Sequence, residues 1–311
     1  MNLQQLEYIV AVDNFRHFAT AADKCFVTQP TLSMMIRKLE EELDVQIFDR
    51  SRQPVVPTEA GEQVIAQARA VLSEASRMKE LVSELKGEIT GEIKIGVIPT
   101  LAPYLLPLFL PNFMKQYPGV KVKIVENTTE QIIEKIKHNA LDAGLLATPL
   151  GDPAILENPL FYEQFVVFSS KGEDILEKNF VLQDDLDLQK LWLLEEGHCL
   201  RAQVVNLCAL QENEEMVRQL DYEAGSIETL KKMVLANKGM TILPELALRD
   251  MSKAELEHIR YFEPPAPVRE ISLVTYRLYT KRRLVDAICE QILASIPEEM
   301  KDYQRGEITS L

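Results

Sequence analysis

Two thiols mark the most reactive stretch of the chain: Cys199, within Glu196-Gly197-His198-Cys199-Leu200-Arg201, and Cys208, nine positions further on. The apolar run Leu191-Trp192-Leu193-Leu194 ahead of them reads as a strand, and Gly197-His198-Cys199 as the turn from it into a helix. Cys199 then falls in a first helical turn, where unpaired N–H groups and the helix dipole favour a thiolate over a thiol. His198 and Arg201 flank it with donors or positive charge. Along one α-helix nine residues rise about 13.5 Å and turn through about half a circle. A disulfide needs Cα atoms within about 7 Å. The two sulfurs cannot join while that helix stands, and a bond that forms only by unfolding its own helix is what a redox switch requires.

The same residues have a plainer reading. Cys208 lies among Val204, Val205, Leu207 and Leu210, the setting of an inert core cysteine. The spacing suits zinc poorly, since structural sites favour ligands two to four residues apart, and no metal or other cofactor is expected. Cys25 and Cys289 read as packing residues. Four cysteines in 311 residues are no disulfide framework, so a reducing cytoplasm is expected, where a disulfide is transient. Met1-Asn2-Leu3-Gln4-Gln5 lacks the basic and apolar halves of a leader, and no window approaches eighteen apolar residues, so no membrane span is expected. Length and a hydrophobic content of 46% allow two or more domains. A net charge of −14 argues against nucleic acid as a partner of the whole chain, yet residues 14–38 hold Arg16, Lys24, Arg37 and Lys38 against Asp23 alone.

That basic island sits among short helices. Leu3, Leu6, Ile9 and Val10 share a helical face, and residues 18–24 form a second, Ala-rich helix. Phe26 to Pro30 is a turn in which Thr28 caps a third helix running to Leu43, with Leu32, Ile36, Leu39 and Leu43 inward and Thr31, Ser33, Met34 and Arg37 outward. This is the layout of a helix-turn-helix, which would set Gln29, Thr31 and Ser33 near bases and Arg37 and Arg50 near phosphates. A three-helix packing module without DNA contact fits the helix pattern equally. From Thr58 to about Leu85 one long helix follows, about 42 Å in length. Val64, Ala68, Val71, Ala75, Met78, Val82 and Leu85 repeat on it at alternating spacings of four and three, the seam of a coiled coil that calls for a partner chain; Gly87 and Gly91 end the helix.

Beyond residue 88 strands and helices alternate. Strands are read at 92–98, 121–125 and 142–147, with helices at 104–117 and 129–139, a βαβα run that implies a parallel sheet covered on both faces. Phe165–Phe168 and Leu191–Leu194 open a second unit, with a helix at 226–236 capped by Ser226 and a strand at 240–243. The strand 271–276 and the helix 283–296 return to the first. Ligands in such folds meet the carboxyl ends of strands, where Thr100, Thr129 and Cys199 would converge.

Ala21-Ala22, Thr28-Gln29-Pro30-Thr31-Leu32-Ser33, Ile36-Arg37-Lys38-Leu39-Glu40, Leu43-Asp44-Val45, Phe48-Asp49-Arg50 and Thr58-Glu59-Ala60-Gly61 stand in an order that resembles the winged helix-turn-helix of LysR-type transcriptional regulators. The resemblance implies an α/β chain in three parts: a DNA-binding domain at 1–57 with its wing at 51–57, a dimerisation helix at 58–87, and a two-lobed, periplasmic-binding-protein-like effector domain at 88–311. Lobe I would cover about 88–163 and 268–311, and lobe II about 164–267. Gln29, Pro30, Thr31, Ser33, Arg37 and Arg50 would contact promoter DNA. Ile98-Pro99-Thr100, Tyr104-Leu105-Leu106-Pro107, Gly197 to Arg201 with Gln203, and Cys208 are similar to the peroxide-sensing members of that family. On that likeness Cys199 is the peroxidatic thiol and Cys208 the resolving one, while Thr100, Thr129, His198 and Arg269 hold the peroxide. Ala202 departs from the pattern, where an acidic residue commonly follows the Arg, and the match weakens from Ala209 to Met216.

The resemblance further implies no enzyme but a cytoplasmic regulator, a dimer or tetramer of itself on double-stranded promoter DNA. RNA polymerase and a glutaredoxin- or thioredoxin-like reductant would be its partners. A regulator sensing a small molecule in the inter-lobe cleft is the nearest rival and would respond with both thiols replaced. A thiol peroxidase would turn over many times and leaves residues 1–87 without a task. A purely structural DNA-bending protein has no use for a two-lobed cleft.

Overall fold

The computed structural model describes residues 1–85, 89–208, 224–277 and 281–309. They fall into two compact units, one of residues 1–89 together with His138–Ala140, the other of residues 90–137 and 141–311.

The first unit opens with α1 (Leu3–Phe15), α2 (Phe18–Lys24) and α3 (Gln29–Leu43), followed by the two-stranded wing of β1 (Phe48–Asp49) and β2 (Val56–Pro57). Capping fixes the starts. Asn2 accepts from the Gln5 N–H at 2.9 Å while the Gln5 side chain accepts from the Asn2 N–H. Thr28 accepts from the Thr31 N–H and Thr58 from the Gly61 N–H. Leu6, Ile9, Val12, Leu32, Ile36 and Leu39 form the core. Leu3 and Leu43 do not join it: both are exposed, Leu3 by 48%, because each lies at a helix end past the last turn that packs.

The long helix α4 (Glu59–Leu85) departs from the expected seam. Ile65 and Ala68 are buried in the core of this unit, and Val64, Val71 and Leu72 pack against it, so α1 covers the first half of the stripe within one chain. Met78, 70% exposed, remains uncovered. Gly87 and the side chains of Val82 and Leu85 lie outside the description.

In the second unit β3 (Gly91–Val97), α5 (Ala102–Gln116), β4 (Val120–Glu126), α6 (Thr129–Lys137) and β5 (Ala143–Thr148) form the expected βαβαβ run, with β3 parallel to both β4 and β5. Next come the fifteen-residue β6 (Ile155–Ser169) and β7 (Phe180–Val181), then α7 (Cys199–Leu207), α8 (Ile227–Asn237), β8 (Met240–Pro244), α9 (Lys253–Leu256) and β9 (Ile259–Phe262). The second unit ends with β10 (Ala266–Tyr276), α10 (Arg282–Ser295) and β11 (Gly306–Ile308).

The sheet is mixed, not parallel. β10 runs antiparallel to β5 and to β6, because it re-enters the first lobe from the second and so travels against the strands that left it. β6 pairs with β10 through Gln164 and from Phe165 onward with β8, so one strand belongs to both lobes. Leu191–Leu194 is no regular strand; it makes only isolated bridges, Leu191 to Met240 and Leu194 to Ala224. No described helix is long and apolar enough to cross a membrane.

Candidate functional site

Gly197, at φ +88°, turns the chain so that α7 begins at Cys199, with His198 as its N-cap residue and Cys208 as its C-cap. The two cysteines thus stand at opposite ends of one helix, about 13.5 Å apart along its axis, and both are free thiols. Leu200, Gln203, Val204 and Leu207 form the buried face that holds α7 down.

Around Cys199 the structure brings Thr129 from α6 and Arg269 from β10. Thr129 opens α6 beyond β4, and its hydroxyl lies near enough to Cys199 to favour the thiolate. That hydroxyl is buried and makes no other hydrogen bond of normal geometry among the described residues, so Cys199 is the group it faces. Arg269, from β10, is 0% exposed and its charge also favours the thiolate. It donates from Nε to Glu163 Oε2 at 2.8 Å and from its terminal nitrogens to Thr100, to Oγ1 at 3.2 Å and to the carbonyl at 3.4 Å. Thr100 follows β3 and is buried, and through its bonds to Arg269 it joins the group that includes Thr129 and Cys199.

His198 is buried beside them in sequence, but its Nε2 lies 3.5 Å from Glu195 Oε1. Arg201 reaches back to cap the Leu194 carbonyl at 2.8 Å. Beyond Cys208, residues 209–216 lie outside the described residues.

The electrostatics correct one expectation. Burial pushes the Cys199 thiol above its ordinary value, against the pull of Arg269, the Thr129 hydroxyl and the Leu200 N–H of the first turn. Burial thus opposes the helix N-terminus at this thiol, and the donors around it favour the charge that reaction develops. Cys208 is pushed up to about 11 by burial. Cys289, also about 11, is packed in α10 and accepts from the Asn158 amide at 3.5 Å; Cys25 caps α2 and is raised by burial. Neither belongs to the thiol site.

Glu163 carried no sequence signal in this region, and Tyr104 stands out only as part of a run that resembles the family. Glu163 is 0% exposed and anchors Arg269 while accepting from the Leu246 N–H at 2.7 Å. Burial raises its carboxyl, and Arg269 pulls it back. Tyr104 donates to Glu228 at 3.0 Å, tying α5 to the first turn of α8. Among the described residues no cluster of three His, Cys, Asp or Glu could hold a metal.

In the first unit Gln29, Pro30 and Thr31 are exposed at the start of α3. Arg37 pairs with Glu41 at 3.2 Å. Arg50, expected near phosphate, is engaged within the chain: it donates to Glu40 at 2.7 Å and to Ser33 at 3.2 Å, and lies over the Phe18 ring.

Residues 3–62 match the family described as "Bacterial regulatory helix-turn-helix protein, lysR family", and residues 86–296 match "LysR substrate binding domain". The chain belongs to the LysR family. As a LysR-type protein it is a DNA-binding transcriptional regulator, as are its relatives, and not an enzyme. It is 36% identical over 307 residues to the "Hydrogen peroxide-inducible genes activator" of Haemophilus influenzae, covering 98% of this chain and 99% of that one. A full-length OxyR variant from Pseudomonas aeruginosa has a similar structure, with TM-score 0.79, 33% identity and coverage of 95% and 99% of the two chains. A hydrogen-peroxide-bound OxyR mutant from Corynebacterium glutamicum shares the fold at TM-score 0.61 and 29% identity, over 94% and 92%. Within the LysR family the resemblance is to OxyR.

Proposed function

We propose that this regulator responds to hydrogen peroxide by closing a reversible disulfide between Cys199 and Cys208. The observation that carries the reading is a thiol flanked by a donor and a cation: Cys199 in the first turn of α7, with the Thr129 hydroxyl and the Arg269 charge favouring its ionised form. Peroxide is small and uncharged, so selectivity must come from reactivity rather than affinity. The Cys199 sulfur attacks one peroxide oxygen, an S–O bond forms and the O–O bond breaks. The departing hydroxide takes up the thiol proton and leaves as water, with Thr100, Thr129, His198 and Arg269 holding the peroxide and stabilising the developing charge. The sulfenic acid then condenses with Cys208: the S–S bond forms and the sulfenic oxygen leaves as a second water with the Cys208 proton. Peroxide is reduced by two electrons and the two thiols are oxidised by two.

Joining the sulfurs requires α7 to unwind. We infer that the rearranged segment changes contacts between effector domains (residues 88–311) in a dimer or tetramer, and that the helix at 58–87 passes this to the DNA-binding domains (residues 1–57). Gln29, Pro30, Thr31, Ser33, Arg37 and Arg50 contact promoter DNA, with Arg37 and Arg50 exchanging their carboxylate partners for phosphates. RNA polymerase and a thiol reductant of the glutaredoxin or thioredoxin kind complete the cycle in the cytoplasm.

The test is mass spectrometry of peroxide-treated protein alongside DNA footprinting of both forms. Wild type should give one intramolecular Cys199–Cys208 bond and an altered footprint, and Cys208→Ser should accumulate sulfenic acid or mixed disulfides at Cys199. A wild type without that bond sinks the reading. A response that survives replacement of both thiols assigns the cleft to a small-molecule effector instead.

A further inference from the structure

Gln203 is the one amide on the buried face of α7, between Leu200, Val204 and Leu207, and it is 0% exposed. An apolar side chain would fill this position at less cost, since a buried amide is tolerable only when its hydrogen bonds are made. Its Nε2 donates to the Thr309 carbonyl at 3.2 Å, while its Oε1 finds no partner among the described residues. The acceptor belongs to the segment of β11, which lies parallel to β10 with Gly306, Glu307 and Ile308 opposite Ala266, Pro267 and Val268. The Thr309 N–H donates to the Val268 carbonyl at 2.9 Å, and the next residue on β10 is Arg269. One short strand thus links the helix that holds both thiols to the strand that carries the arginine beside Cys199. The last turn of α7 meets this segment across a groove of about 260 Å³ lined by Asn206, Leu207, Pro265, Pro267, Ile308 and Thr309, so close apolar packing does not replace the bond.

We propose that Gln203 and the β11 segment form a latch that holds α7 in its dithiol conformation and sets how readily the disulfide closes. Gln203 acts through α7 as a positioning residue, not on peroxide. The inference rests on the reading above: if α7 must unwind for Cys199 to reach Cys208, the bond to Thr309 must break, and weakening it favours the disulfide.

The experiment measures the thiol–disulfide midpoint of the full chain in glutathione buffers by thiol trapping, with amide hydrogen exchange of residues 199–207 in the reduced form. Two variants release the latch from opposite sides. Gly306→Val would set a Cβ where it meets the Ala266 carbonyl at 2.1 Å, forcing β11 off β10. Gln203→Glu keeps the length of the side chain but turns the donor into an oxygen facing the Thr309 carbonyl, and it decides alone if Gly306→Val does not fold. Each should move the equilibrium three- to tenfold towards the disulfide, a midpoint about 14 to 30 mV more negative, with faster exchange in α7. If the wild type forms no Cys199–Cys208 bond, the functional reading falls and the latch with it. If the wild type forms it and both variants keep its midpoint and its exchange, the latch alone falls.

Discussion

The Thr129 hydroxyl is the residue-scale clue to chemistry, because it makes no bond of normal geometry to the described scaffold and faces only the Cys199 thiol. Thr129→Val replaces a buried donor that serves only the thiol by a methyl of the same size. Stability should stay level or rise by about 1 kcal/mol, while the peroxide reaction of Cys199 slows on the order of tenfold or more for want of a donor. Thermal melting and stopped-flow oxidation check the two halves, and a stability loss without a rate loss overturns the role. Glu163→Ala predicts the reverse balance. It strands Arg269 as an unpaired buried charge, a cost of about 3–5 kcal/mol, and the melting temperature should fall well below that of Glu163→Gln, which keeps an acceptor for the guanidinium. Thr100, Thr129, Cys199 and Arg269 could all be named from the sequence, since motif and resemblance point to them. Glu163 could not, because a single acid in Tyr162-Glu163-Gln164 shows no pattern and its partner stands 106 positions away. The expectation that the helix N-terminus favours the thiolate left out burial for a related reason. Helix-terminus reasoning counts local N–H groups, whereas the burial that raises Cys199 comes from elements distant in the chain.

At the scale of elements, the stripe along α4 shows what periodicity can and cannot say. The alternating spacing identified a helix with one apolar face, and a helix with one apolar face is what formed. Periodicity does not name the covering partner, and for Ala68 that partner is the core built on α1. The two halves of the stripe therefore separate by mutation. Ala68→Glu places a charge in that core and should destabilise the N-terminal unit by several kcal/mol. Met78→Glu changes an exposed residue, so melting of that unit should move by no more than about 0.5 kcal/mol. If this end of α4 pairs with a second copy, Met78→Glu should instead weaken self-association by about tenfold in sedimentation experiments. Equal self-association of wild type and Met78→Glu would remove that end of the helix from the dimer interface.

At the scale of the molecule, local patterns gave β3, β4, β5, β8 and parts of β6 and β10, but neither the short β7, β9 and β11 nor the directions of the strands. Alternating strands and helices suggested a parallel sheet, and the order of β5, β10 and β6 makes it mixed, because a strand returning from another lobe carries no mark of its direction in its own residues. The same interlocked packing buries thiols on separate elements, and this has a consequence for stability against pH. Cys208 on α7 and Cys289 on α10 are both held near 11 in the folded chain against an ordinary value of 9.0, with burial the first cause in each. Between about pH 9 and 11 the unfolded chain has lost these protons and the folded chain keeps them, so the folded state binds more protons and stability falls as pH rises. Below pH 8 both states hold the protons and the two thiols impose no pH dependence. Discounted for the partial exposure of Cys208, the loss is on the order of 1 kcal/mol per thiol by pH 10.5. Tyr104, raised by burial and by Glu228, adds a further loss that begins about one unit higher. Urea unfolding at pH 8 and pH 10.5 measures the difference. A Cys208→Ser, Cys289→Ala double variant should lose less stability between the two than wild type does, and an undiminished loss would mean that the thiols are not what the alkaline fold is straining against.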